Sequence, residues 1–157
     1  MKNLMQKPVV EFMTTEVIAV KKNESIKNVF KLMDEGAILG LPVVDDSNVV
    51  IGMVTESDLV KHFTTLKEPR SINLLGSIVY LEDIRDFNKT LKDHCAETVG
   101  DLMRTEAVVI NKDDSLLDAI DMMSKKDVNR LSVIDKENKL IGILTRTDIV
   151  HQLAKLK

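Results

Sequence analysis

The sequence predicts a mixed α/β (α+β) protein in which one structural unit occurs twice. The stretch 52–58 has the pattern G-h-h-T-x-x-D (h, apolar), and the same pattern recurs 90 residues later at 142–148. Residues 12–60 align with 102–150 without a gap and are identical at 15 of 49 positions. In both copies, short apolar runs rich in β-branched residues alternate with segments of helical periodicity. Self-similarity at a constant offset indicates an internal duplication.

The first copy predicts the order strand, helix, strand, strand, helix. Apolar, β-branched residues over 17–20 indicate a buried strand. Ser25 is a favourable N-cap for a helix that ends at Gly36. The runs 41–44 and 49–54 are separated by turn-forming residues and predict a strand pair, which a helix follows. The first helix buries the face that carries Ile26, Val29, Phe30 and Met33.

The second copy repeats this order. Its first strand is predicted over 107–110, and Ser115 caps the next helix. The strand pair is predicted over 131–134 and 140–144, and the last helix over 148–156. The register of apolar residues in each element matches that of the first copy, so both copies should fold alike.

The segment between the copies has no counterpart in either of them. It divides the chain into a first repeat over 8–60, an inter-repeat insert over 61–97 and a second repeat over 98–157. The periodicity of apolar residues over 84–91 predicts that the insert is partly helical. The insert is too apolar for a flexible linker, so we expect it to pack against the repeats or another subunit.

Composition excludes several classes of partner. The net charge is −3 with scattered basic residues, and aromatic residues make up only 3% of the chain. A basic stripe and an aromatic stacking platform are both missing, so we expect no nucleic-acid binding. The single cysteine, Cys95, predicts a reducing, cytoplasmic compartment. An apolar leader and a run long enough to span a membrane are absent from the sequence, so no membrane association is expected.

Catalytic and metal-binding patterns are absent from the sequence. His62, His94 and His151 lack a partner at ligand spacing, and neither HExxH, a P-loop nor GxGxxG occurs. The run 94–97 collects metal-capable side chains, but adjacent residues on a helix point to different faces. We therefore expect no catalytic residue, no metal site and no catalytic cofactor.

The repeated motif places a hydroxyl and a carboxylate three residues apart where a strand gives way to a helix. Thr55 with Asp58, and Thr145 with Asp148, fit a capping box with Asp in place of Glu. Hydroxyl groups at a helix N-terminus also suit an anion, because unpaired N–H groups and the helix dipole lie there. The pattern by itself favours capping, and ligand binding stays open beside it.

The order of elements, together with the two G-h-h-T-x-x-D motifs, resembles the tandem CBS-domain pair, or Bateman module. The resemblance covers 12–60 and 102–150, about two thirds of the chain. It implies two repeats packed sheet to sheet with pseudo-twofold symmetry. It also implies two clefts that bind adenosine-containing ligands without chemistry. The expected ligand is AMP, ADP or ATP rather than S-adenosylmethionine or NAD. The resemblance also implies a homodimer, because CBS-domain pairs usually dimerise.

The resemblance further implies which residues contact the ligand. Asp58 and Asp148 match ribose-binding positions, although each could serve only as a cap. Arg130 matches a phosphate-binding position and Arg146 could add charge, whereas the alternative for both is an exposed surface arginine. The other implied contacts fall in four groups: Thr15 and Thr105 beside the pocket; Ile38, Leu39 and Gly40 at one adenine; Val128 and Asn129 at the other; and Thr55, Ser57, Thr145 and Thr147 near phosphate or ribose.

Two hypotheses of function follow. The first is a non-enzymatic regulatory module that senses an adenine nucleotide and signals to an unidentified effector protein through a surface. The second is a structural or assembly module in which the clefts are vestigial and the insert makes the contacts. A nucleotide hydrolase is a weaker third hypothesis, which binding without turnover would exclude.

Overall fold

The computed structural model describes residues 2–62, 71–74, 77–80 and 96–155. The helix predicted over 84–91 lies outside these residues. Within the described residues, no helix is both long enough and apolar enough to cross a membrane.

The fold is the predicted mixture of helices and strands. Two strand pairs and one three-stranded sheet are described: β1 with β2, β3 with β4, and β5–β6–β7. The strands are β1 (Gly40–Val44), β2 (Val50–Thr55), β3 (Ser71–Leu74), β4 (Ser77–Tyr80), β5 (Val109–Asn111), β6 (Arg130–Ile134) and β7 (Leu140–Thr145). The helices are α1 (Lys2–Met5), α2 (Ile26–Gly36), α3 (Glu56–His62), α4 (Val99–Leu102), α5 (Leu116–Lys126) and α6 (Arg146–Ala154), with a 3₁₀ turn at Val9–Glu11.

The first strand of each copy is shorter than predicted. In the second copy, β5 pairs in parallel with β6, and the N–H of Ser132 donates to the carbonyl of Val108 at 3.2 Å. In the first copy, the strand predicted over 17–20 is reduced to a bridge between Val20 and Val43. Pro42 occupies the position equivalent to Ser132 and has no N–H to donate, so the ladder cannot extend.

The longer helices begin where the sequence predicts. Ser25 caps α2 by accepting from the Asn28 N–H, and Ser115 caps α5 in a capping box with Asp118. The Ser115 hydroxyl and backbone N–H both donate to Asp118, which lowers the pKa of that carboxyl. α2 ends at Gly36, as predicted, and the left-handed residue that follows is Ala37 (φ 48°).

The insert contains a hairpin that the sequence did not predict. β3 and β4 pair antiparallel, with Ser71 opposite Tyr80 and Leu74 opposite Ser77. Residues 71–74 alternate polar and apolar side chains, a pattern that could have indicated the first of these strands. The repeat and insert boundaries stay a prediction.

The chain divides into two compact units. Unit one consists of Met1–Lys21, Leu41–Met53 and Arg104–Lys157, and unit two of Lys22–Gly40 and Val54–Met103. Each unit draws on both predicted repeats, because unit one includes Leu41–Met53 of the first repeat and unit two includes residues 98–103 of the second.

Unit one has a continuous apolar core. Its N-terminal segment pairs with the start of α5: the Leu116 N–H donates to the Lys7 carbonyl at 2.9 Å, and the Val9 N–H to the Asp114 carbonyl at 2.8 Å. Side chains from this segment, the β5–β7 sheet, α5 and α6 then share one cluster. Its members are Val9, Phe12, Ile110, Leu116, Ala119, Met123, Leu131, Val133, Leu144 and Ile149.

Unit two repeats this crossed arrangement. The segment before the second copy pairs with the start of α2: the Ile26 N–H donates to the Glu97 carbonyl at 3.1 Å, and the Val99 N–H to the Glu24 carbonyl at 2.8 Å. These bonds lie at positions equivalent to those in unit one. The buried apolar residues of unit two include Ile26, Val29, Met33, Val54, Leu59, Ala96 and Val99.

A buried hydroxyl on β6 gives a stability prediction. Ser132 is fully buried, and within the described part of the chain its Oγ has no hydrogen-bond partner. An unsatisfied buried hydroxyl costs about 1–3 kcal/mol. Ser132→Ala should therefore raise the free energy of unfolding by about 1 kcal/mol in urea titrations at an unchanged m-value.

Ser132→Pro is the matched control for this prediction. It also removes the hydroxyl, but it loses the N–H that donates to Val108 and should therefore be less stable than Ser132→Ala. A destabilised Ser132→Ala would contradict the prediction, because it would mean that the hydroxyl has a partner in solution.

Candidate functional site

The second-copy candidate residues lie together in unit one, where β6 begins and β7 passes into α6. The N–H of Arg146 donates to the carbonyl of Asn129 at 3.0 Å, which holds the start of α6 against the start of β6. Arg130 is paired with Thr145 across the two strands, so their side chains share one face of the sheet. Arg130 is half-buried, and Asn129 and Arg146 are exposed.

Asp148 serves as a helix cap in this cluster. Its Oδ2 accepts from the Thr145 N–H at 2.8 Å and from the Thr145 hydroxyl at 2.7 Å. The Thr145 hydroxyl in turn accepts from the Asp148 N–H at 3.2 Å. The capping role is therefore present, as the pattern predicted. Both bonds that the Asp148 carboxylate accepts use Oδ2, so Oδ1 stays available for a ribose hydroxyl as far as the described residues are concerned.

The first-copy residues form a similar arrangement in unit two. Asp58 Oδ2 accepts from the Thr55 N–H at 3.0 Å and from the Thr55 hydroxyl at 2.6 Å. The N–H of Glu56 donates to the carbonyl of Leu39 at 3.2 Å, which is the equivalent of the bond from Arg146 to Asn129. Asp58 is only 6% exposed, whereas Asp148 is half-buried. The two carboxylates thus both accept from the N–H and the hydroxyl of the preceding threonine, but their access to solvent differs.

Thr15 and Thr105 are exposed. They lie in the two crossed segments, which are the stretches around Thr14 and Arg104 that each pair with a strand of the other copy. Within unit one, Thr14 and Ile143 exchange N–H···O bonds of 2.9 Å, so Thr15 follows a residue bound to β7 of the second copy. The equivalent residue Arg104 exchanges bonds of 3.0 and 2.9 Å with Met53 in β2 of the first copy. The apolar periodicity within one copy cannot indicate such pairing, because it depends on contacts between segments far apart in sequence.

The helical side of unit two carries an apolar groove that the sequence did not predict. It has a volume of about 510 Å³ and includes Ile38 and Leu39, which were predicted to hold an adenine. Phe30, assigned to the buried face of α2, is 36% exposed there, and Val60 is 62% exposed. The lining residues are Phe30, Met33, Asp34, Ala37, Ile38, Leu39, Glu56, Leu59 and Val60. Neither Thr55 nor Asp58 lines it.

The remaining candidate residues are placed as follows. Ser57 and Thr147 are exposed in the first turns of α3 and α6, Gly40 is buried, and Val128 is half-buried before β6. In the described ranges, no group of three or more His, Cys, Asp or Glu side chains could hold a metal ion. The sites consist of hydrogen-bonding groups, short apolar segments and, in the second copy, two arginines.

A family model described as the CBS domain matches residues 3–65 and 99–155. The chain belongs to the CBS-domain family. The two matched regions make it a tandem CBS pair, which confirms the resemblance that the repeated motif indicated.

This CBS pair has relatives that resemble it in sequence or in fold. It is 30% identical over 159 residues to the uncharacterized protein MJ1426 of Methanocaldococcus jannaschii, which covers 97% of this chain and 89% of that protein. The crystal structure of Arabidopsis thaliana CBSX2 in complex with AMP has a TM-score of 0.78 and 28% identity, with 96% and 99% of the two chains covered. The chain spans 63% of the full length of CBSX2.

A more distant CBS pair shares the fold alone. The CBS domain pair of MJ0100, in complex with 5′-methylthioadenosine and S-adenosyl-L-methionine, has a TM-score of 0.71 at 19% identity. The likeness covers 96% of this chain and 98% of that one.

Proposed function

We propose that this CBS pair is a non-catalytic regulatory module that binds an adenosine-containing ligand, with AMP, ADP or ATP as the first candidates. The observation that carries the proposal is the Thr–Asp pair at the start of α3 and α6. In both copies the Asp accepts from the N–H and the hydroxyl of the Thr, and the residue after the Thr donates its N–H to the segment before the neighbouring strand. The likeness to the CBSX2 structure in complex with AMP supports this choice of ligand.

The proposed contacts follow from the chemistry of each group. In the second copy, Oδ1 of Asp148 accepts from a ribose hydroxyl while Oδ2 keeps its capping bonds. Val128 offers apolar surface to an adenine, and Arg130 suits a phosphate because a guanidinium donates in a planar fork. Thr145, Arg146 and Thr147 complete this site. In the first copy, Ile38, Leu39, Gly40, Thr55, Ser57 and Asp58 have the corresponding roles.

Signalling would use the crossed segments. Thr15 follows a residue bound to β7, so a ligand that contacts Thr15 and the start of α6 would hold the N-terminal segment against the second copy. A ligand shifts a conformational equilibrium only by its difference in affinity for the two states. The same reasoning applies to Thr105 beside β2. We further propose that the module forms a homodimer and signals to an effector protein. We also propose that it acts in the cytoplasm, because a single cysteine is typical of a reducing compartment.

Thermal unfolding of the nucleotide-free protein tests the ligand. AMP, ADP, ATP, S-adenosylmethionine, NAD and GTP are compared at equal concentration. A ligand present at a hundredfold its Kd should stabilise the fold by about 2.7 kcal/mol, because it binds only the native state. We expect at least one adenosine-containing ligand to raise the midpoint and GTP to have no effect. Absence of turnover of the bound nucleotide would support a sensor over a hydrolase.

A midpoint unchanged by all six compounds would contradict the sensor function. The assembly function would then be favoured, because the groove of unit two exposes Phe30, Leu39 and Val60. Contiguous apolar surface of this kind is typical of protein-contact sites. Light scattering of the wild-type protein and of Val60→Asp would then test whether this groove mediates self-association.

A further inference from the structure

One face of α2 is exposed beside the apolar groove of unit two. Phe30 and Asp34 lie four residues apart on this face, and both line the groove. The groove is lined by residues of α2 and α3, and it leaves Leu39 58% exposed and Val60 62% exposed. All of these residues belong to unit two. Exposed apolar surface with a polar rim is typical of protein-contact sites.

Two charged residues of α2 are placed against the helix dipole. Lys27 lies in the first turn and Asp34 in the last, whereas the dipole favours an acid at the start of a helix and a base at its end. The equivalent helix α5 has the favourable pattern, with Asp118 in its first turn and Lys125 and Lys126 in its last. Within the described part of the chain, neither Lys27 nor Asp34 forms an ion pair. The two charges therefore stabilise neither α2 nor its packing, and both are exposed to a partner.

A second copy of α2 in antiparallel orientation complements these charges. Lys27 and Asp34 are seven residues apart, which is about 10.5 Å along a helix. A twofold axis that crosses α2 midway between them places Lys27 of each copy opposite Asp34 of the other. Phe30 then lies next to the axis, where the apolar surfaces of the two grooves meet. Two ion pairs flank one apolar centre, so a single helix supplies both halves of a self-complementary contact.

The equivalent helix of unit one lacks this complementarity. Leu117 and Ser124 of α5 occupy the corresponding positions 90 residues later, and neither side chain carries a charge. Two α5 helices therefore cannot form the paired ion pairs. Apolar exposure alone does not separate the units, because Val150 on α6 is 61% exposed and Val60 on α3 is 62% exposed. The charge pattern selects the face on unit two.

We propose that the chain forms a twofold dimer through α2, in which Lys27 of each copy pairs with Asp34 of the other. The two grooves of unit two close on each other in this dimer, which covers Leu39 and Val60. This inference rests on the homodimer of the proposed function and adds the surface that forms it. It holds for any ligand of the module.

Sedimentation velocity of the full chain with charge reversals tests the contact. Lys27→Glu and Asp34→Lys each place like charges opposite one another at two points, so each variant should dimerise at least about tenfold more weakly than wild type. An equimolar mixture of the two variants should dimerise like wild type, because opposite charges meet again at both points. Added salt should reduce the difference between wild type and the single variants. Val150→Asp is the matched control on unit one and should leave the dimer unchanged.

The mixture separates a lost contact from a folding defect, because misfolded chains would not recover on mixing. Both reversals also match the helix dipole better, so α2 itself should not be weakened. Single variants that dimerise like wild type, or a mixture that stays monomeric, would overturn the α2 contact. Loss of the dimer in Val150→Asp alone would assign the contact to unit one instead. A monomeric wild type would overturn the homodimer itself, whereas the thermal unfolding experiment tests the ligand independently.

Discussion

Replacing Asp58 by Ala is expected to lower the free energy of unfolding by about 2 kcal/mol, and replacing Asp148 by Ala by about 1 kcal/mol. Each carboxylate accepts from the N–H and the hydroxyl of the preceding threonine. Asp58 is 6% exposed, so its removal leaves donors that water reaches poorly. Asp148 is half-buried, and water can replace more of its bonds. The order of the two losses is therefore a consequence of burial.

Urea titration of the nucleotide-free variants at neutral pH measures these losses. Asp58→Asn and Asp148→Asn are the matched controls, because an amide oxygen keeps one acceptor at nearly unchanged volume. Both should lie between wild type and the alanine variants. Equal losses for the two alanine variants would contradict the argument from burial. A loss of ligand binding in an Asn variant that stays folded would identify the carboxylate as a ligand contact as well as a cap.

Replacing Gly142 by Ala is expected to destabilise the protein by about 2 kcal/mol, within the range for overpacked sites. A Cβ at this position would lie 2.3 Å from Met13 Sδ, 2.9 Å from Met13 Cγ and 3.1 Å from the Thr14 carbonyl oxygen. The Thr14 oxygen accepts from the Ile143 N–H, so relief of the overlap would strain the pairing between the N-terminal segment and β7. Ligand binding at the second copy should weaken with it, because Thr15 would shift.

A double-mutant cycle with Met13→Ala shows which atoms resist the new methyl group. If the methionine side chain resists it, Gly142→Ala should cost less in the Met13→Ala background than in wild type. If the Thr14 carbonyl resists it, the cost should be similar in both backgrounds. Stability and nucleotide affinity should fall together in either case. A Gly142→Ala protein of wild-type stability would contradict the close packing of the crossed segment.

Local features of the sequence were sufficient to predict the helix caps of both repeats and most of their helices and strands. The caps Ser25 and Ser115, and the Thr145–Asp148 box, are found where they were predicted, because a cap depends on residues within three or four positions. The central strands and the long helices were also predicted, since periods of 2 and 3.6 residues record which side is buried. The resemblance to the CBS family followed from the same short-range pattern in two copies.

Contacts between distant segments decided the rest. The first strand of the first copy is reduced to a bridge because Pro42 has no N–H for a segment more than twenty residues away in sequence. The pairing of Thr14 with β7 joins residues from opposite ends of the chain. Phe30 has the periodicity of a core residue, yet it is 36% exposed, because it lines the groove of unit two. The spacing of apolar residues predicts which face of a helix or strand is apolar. Only the tertiary structure decides what packs against that face.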